Sequence, residues 1–111
     1  MKVALLKANS RKEDSLIILE KLPVVIGRDP ECEIQLEDIW VSPHHCMIEQ
    51  VCGAVMVLDL AARTGTFLNG RRVRKAVLSA GDRLTVGRTH LLVRFLDSSA
   101  APAPAAQGAT V

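Results

Sequence analysis

Tyrosine is missing from this chain, phenylalanine occurs twice and tryptophan once, so aromatics make up 3% of its 111 residues. Proteins that grip single-stranded nucleic acid stack bases on aromatic rings, and that platform is absent here. Neither sign of charge is in large excess, with 14 basic residues against 12 acidic ones and a formal net charge of +2. That balance fits neither a basic nucleic-acid arm nor an acidic tail, so anion recognition has to be local and no nucleic-acid partner is expected. Cysteine occurs three times, at Cys32, Cys46 and Cys52, without a CxxC pair. An odd set with no preceding signal peptide reads as free buried thiols in a reducing cytoplasm. Their spacing relative to His44 matches no zinc pattern, Cys46 and His44 lack the partner motif of a nucleophile, and the loops offer no paired acid and base. No metal, cofactor or catalysis is expected. Nor does any apolar run approach the ~20 residues of a membrane helix, so no membrane partner is expected either.

What the chain does have is strand formers: hydrophobic residues make up 49%, and valine and isoleucine together account for 18 of 111. At this length one domain buries roughly 65% of the unfolded surface and needs no covalent staple. No segment sustains a helical apolar period. Short alternating runs predict strands at 2–7, 15–20, 24–26, 33–36, 46–51, 54–59, 66–68, 83–86 and 90–96. Turn signals at Cys52-Gly53, Asn69-Gly70, Gly81-Asp82 and Gly87 punctuate them. The gaps leave no room for crossover helices, and the fold expected is an all-β antiparallel sandwich. From Ser98 the sequence SSAAPAPAAQGATV cannot bury enough surface to offset its ordering entropy, so the domain is expected over 1–97 and a disordered Ala/Pro-rich linker or tail over 98–111.

Three inter-strand segments concentrate polar chemistry: Gly27-Arg28-Asp29-Pro30, Val41-Ser42-Pro43-His44-His45 and Ala62-Arg63-Thr64-Gly65-Thr66. Brought together at one end of a sandwich, they offer what a phosphate needs. A guanidinium forks onto two oxygens, a hydroxyl adds a third contact, and backbone amides complete the cradle.

Gly27-Arg28, Ser42-x-x-His45, the stretch from Asp59-Leu60 through Thr66-Phe67-Leu68-Asn69-Gly70, and Leu78-x-x-Gly81-Asp82-x-Leu84-x-Val86-Gly87 resemble, in order and spacing, the forkhead-associated (FHA) domain, from about Val3 to Phe95. The resemblance implies a sandwich of about eleven strands, FHA/SMAD-like, whose loop end binds phosphothreonine peptides without catalysis, often in bacterial Ser/Thr kinase signalling. It implies that Arg28 and Ser42 contact the phosphopeptide, that His45 buttresses the loops, that Gly27 permits the tight backbone aiming Arg28, and that Gly65 and Asn69-Gly70 shape the third loop and the turn after it. Two positions depart from the family. Thr64 stands where an asparagine commonly grips the peptide backbone, and Pro43 supplies neither a side-chain donor nor an N–H. Arg63 can compensate in part by reaching the phosphate, which completes an expected ligand set of Arg28, Ser42, Arg63 and Thr64.

Other features have plainer readings. Arg71, Arg72, Arg74 and Lys75 read as a solvated, mobile loop, His44 as exposed and His90 as an ordinary strand histidine. Trp40 reads as a packing residue, with a wall for the ligand as the alternative. The competing functional reading keeps the fold and drops the phosphate: a scaffold or oligomerisation domain that binds through a sheet face. Neither the ligand's sequence nor an oligomeric state follows from these residues.

Overall fold

The computed structural model describes residues 3–8 and 15–96. Eleven strands appear among them: β1 (Val3–Ala8), β2 (Ser15–Leu19), β3 (Val24–Gly27), β4 (Ile34–Gln35), β5 (Cys46–Val51), β6 (Ala54–Asp59), β7 (Thr66–Leu68), β8 (Arg71–Val73), β9 (Lys75–Val77), β10 (Arg83–Val86) and β11 (Thr89–Phe95). They form a six-stranded sheet in the order β2-β1-β11-β10-β7-β8 and a five-stranded sheet in the order β4-β3-β5-β6-β9. No helix of the described residues is long and apolar enough to cross a membrane. The expected tail over 98–111 lies outside the described residues.

The sheets close on one another because every second residue of the long strands is apolar. Val3 and Leu5, Leu84 and Val86, and Leu91 and Val93 point inward from one sheet. Val24 and Ile26, Cys46 and Ile48, and Val55 and Val57 meet them from the other, in a single core. Register then fixes where the loops lie. Ile26 pairs with Cys46 and Cys46 with Asp59, so the end of β3, the start of β5 and the end of β6 are level. Val86 pairs with Thr66 in the facing sheet, which places the start of β7 and the end of β10 level with each other. Hydrogen bonds from Leu60 N to His45 O and from the His45 ring to Gly65 O join the two levels into one tip.

Three expectations are corrected. The segment read as a charged loop over 71–75 is two short strands. Its arginines lie on sheet edges, where charge discourages pairing with other chains, so charge density was a poor sign of disorder. β3 and β4 run parallel, Ile26 opposite Ile34, in a sandwich otherwise paired antiparallel. The Cα pairing covers only two residues of each strand, too little to demand a crossover helix. Cys32 and Cys46 are buried, but Cys52 is exposed, because it occupies the β5–β6 turn at a φ of 50°.

Candidate functional site

His45, immediately before β5, is 0% exposed and ties the tip together. Its amide donates to Ile26 O at 2.8 Å and its carbonyl accepts from Leu60 N at 2.9 Å. Nδ1 accepts the Ser42 amide at 3.1 Å and therefore carries no proton. The proton sits on Nε2, which donates to Gly65 O at 2.8 Å. One ring thus fixes the segment carrying Ser42 against the loop carrying Arg63 and Thr64.

Arg28 leaves the end of β3 beside that segment. Its amide donates to Ser42 O at 3.0 Å, and the next amide, Asp29, donates to Pro43 O at 3.2 Å. The backbones come so close that a Cβ on Gly27 would stand 2.0 Å from Pro43 O, so this position accepts only glycine. Arg28 Nε donates to Val41 O at 3.0 Å, which anchors the guanidinium and leaves its two terminal nitrogens to fork onto a ligand. Ser42 Oγ accepts the Arg63 amide at 2.9 Å, so its own hydroxyl hydrogen remains available to donate. A phosphate dianion only accepts hydrogen bonds, and these spare groups are donors.

Arg28, Trp40, Ser42, Ala61, Arg63 and Thr64 border one open hollow of about 680 Å³. All four of the sequence-predicted ligand residues are therefore brought together. Thr64 differs in kind: its hydroxyl donates to Trp40 O at 2.9 Å and has only acceptor capacity left. It suits a peptide N–H and not a phosphate oxygen. Gly65 is buried at a φ of +86°, with Arg72 packed where a side chain would stand. Asn69 stands at the far end of β7. There, with Gly70, it forms a two-residue turn with both φ values positive, accepts from the Arg83 amide at 2.9 Å and donates to Asp82 at 3.0 Å.

Behind Trp40, which lines the hollow, stands a group that sequence reasoning missed. Asp38 accepts from the amides of Trp40 at 2.9 Å and Arg88 at 2.7 Å and from the Thr89 hydroxyl at 3.0 Å. The Arg88 guanidinium lies 5.2 Å from the Trp40 ring centroid. Burial pushes the Asp38 carboxyl up, but those donors and the Arg88 charge together outweigh it and hold the group below its ordinary value. The aspartate two residues before Trp40 signals a local turn, but its partners lie 50 residues away and carry no mark in the sequence. Trp40 itself is 45% exposed, a wall of the hollow more than a packing residue.

Burial disfavours the thiolate form of both buried cysteines. It pushes Cys46 up to about 12, and burial together with the Asp29 charge raises Cys32 above its ordinary value. Among the described residues no cluster of three potential ligands for a metal occurs. Among the described residues, the tip of the sandwich presents fixed donors around an open hollow, an arrangement that suits the binding of an anion.

The chain belongs to the FHA domain family, whose profile matches residues 24–87. It is 32% identical over 68% of its length to an oxoglutarate dehydrogenase inhibitor of Corynebacterium diphtheriae, of which it covers 52%. It is 32% identical over 70% of its length to the glycogen accumulation regulator GarA of Mycolicibacterium smegmatis, of which it covers 49%. The chain thus spans about half the length of these relatives. A solved chain from a structural and functional analysis of phosphothreonine-dependent FHA domain interactions superposes with a TM-score of 0.75 at 25% identity, covering 86% of this chain and 97% of that one.

Proposed function

We propose that this domain binds phosphothreonine in a partner protein and thereby recruits whatever it is attached to, without catalysing a reaction, in the cytoplasm of a cell that uses Ser/Thr kinase signalling. The observation that carries this reading is the pairing of spare donors at the tip: the two terminal nitrogens of Arg28 and the hydroxyl hydrogen of Ser42, in the hollow that Arg63 also borders. His45 and Gly27 act through the loop backbone. Thr64 takes a peptide N–H, and Gly65 keeps the third loop open to Arg72. Family membership and the solved chain's phosphothreonine-dependent interactions support the same reading. The relatives' names denote regulators, and the whole protein is proposed to be one, with this domain as its recognition part.

Charge-assisted hydrogen bonds contribute about 1.5–3 kcal/mol each, so removing the Arg28 fork alone should weaken binding at least tenfold. The test is titration of a degenerate phosphothreonine peptide library beside its unphosphorylated counterpart, by fluorescence anisotropy, with wild type, Arg28→Ala and Ser42→Ala. Saturable binding to the phosphorylated library alone, lost in both folded variants, is the expected result. Equal binding of both libraries overturns it and favours the phosphate-independent scaffold.

A further inference from the structure

Beside the hollow at Arg28 and Ser42 lies a second, of about 770 Å³, and Ala61 borders both. Arg72 and Arg74 line this second hollow. Both are tied to the loop end: a Cβ on Gly65 would stand 2.6 Å from Arg72 Nε, and Arg74 O accepts the Asp59 amide at 2.8 Å. The one acid lining the hollow, Asp59, already accepts with both oxygens, from the Thr66 hydroxyl at 2.7 Å and the Ala62 amide at 3.4 Å. With Arg63, the β6–β8 flank of the tip carries three guanidiniums. In sequence, Asp29, Glu31, Glu33, Glu37 and Asp38 lie between β3 and β5, and none of them lines either hollow. Basic charge is thus gathered beside the phosphate hollow in a chain whose net charge is only +2.

The geometry points to a second anion subsite at Arg72 and Arg74, for a carboxylate or a second phosphate carried on one flank of the phosphothreonine. It rests on the phosphothreonine reading and adds to it the class of flanking residue and the hollow that receives it. An extended peptide advances about 3.3 Å per residue, so a group a few residues from the phosphothreonine passes from one hollow into the next.

Five peptides test it by isothermal titration: phosphothreonine with neutral flanks, with aspartates on the N-terminal flank, with aspartates on the C-terminal flank, and the last two with phosphoserine replacing the aspartates. Aspartates on one flank should tighten binding about fivefold and those on the other should weaken it or leave it unchanged. The phosphoserine peptides show whether a phosphate serves better than a carboxylate. Arg74→Gln should cut the gain while leaving the neutral-flank peptide unchanged, and Arg72→Gln/Arg74→Gln should remove the gain altogether. Equal affinity for all peptides, or a gain that survives in both variants, overturns the subsite. Failure of the neutral-flank peptide to bind wild type overturns the phosphothreonine reading itself, and the subsite with it.

Discussion

At Gly27 a single methyl group decides whether two loops can meet, since a Cβ there would stand 2.0 Å from one backbone atom of Pro43 and 2.8 Å from another. Backbone cannot swing aside as a flexible side chain does. Gly27→Ala should therefore cost about 3 kcal/mol in urea denaturation, the upper end of overpacking effects, and should weaken phosphopeptide binding by moving Arg28. Gly53→Ala is the control: it has nothing within 4 Å and only its φ of +83° to strain, so it should cost about 1 kcal/mol and leave binding alone. Asp38 makes a different claim, about charge. Its folded value is lowered, so its contribution is fully present above the ordinary value of 3.8 and is lost as pH falls through the lower folded value. Asp38→Asn places an amide N–H against one of its donors. At neutral pH it should cost about 2 kcal/mol, and the gap from wild type should close on acidification below about pH 4. Denaturation midpoints for both proteins across that range check it, and a gap independent of pH would assign the loss to shape and not to charge.

At the scale of elements, the strands that the sequence disclosed are those whose alternation is bounded by glycine or asparagine. β5 and β6 were expected at 46–51 and 54–59 and stand at Cys46–Val51 and Ala54–Asp59. β8 and β9 went unread because Arg71, Arg72 and Lys75 mask a period of two, and pairing with β7 and β6, not propensity, makes them strands. Arg28, Ser42 and His45 were expected because the family resemblance falls on them, and the structure sets Arg28 and Ser42 on one hollow with the His45 ring behind Ser42. The bonds of Asp38 to Arg88 and Thr89 were not, because only the closing of the tip brings those loops together. Asn69 belongs to the element and not to the hollow, as its bonds run to Arg83 and Asp82 at the far end of β7. Asn69→Ala removes both bonds and leaves alanine at a φ of 52°, so it should lower stability by about 1–2 kcal/mol. Phosphopeptide affinity should be unchanged. A weakening beyond twofold would show that the β7–β8 turn reaches the site through β7 and give Asn69 the site-supporting role that its family position implies.

Over the whole molecule, β1 and β11 pair along their lengths, Val3 opposite Phe95, so the first and last strands lie side by side in the middle of the larger sheet. Removing either splits a core that draws residues from both sheets, which makes one cooperative unfolding unit the expectation. A ligand held at the tip then stabilises every strand at once, because it binds only when three loops from both sheets are in place. At one hundred times its dissociation constant a ligand adds about 2.7 kcal/mol, and for a domain of this size that should raise the melting temperature by roughly 10 °C or more. A phosphothreonine peptide should produce that rise in wild type, its unphosphorylated counterpart should produce none, and Arg28→Ala should melt within a degree or two of wild type while losing the response. Differential scanning calorimetry separates the alternatives. A variant that melts much lower without ligand would show that the Arg28 anchor to Val41 carries structure as well as recognition. A peptide that raises only part of the transition would show that the tip unfolds apart from the sheets, against the closure that β1 and β11 provide.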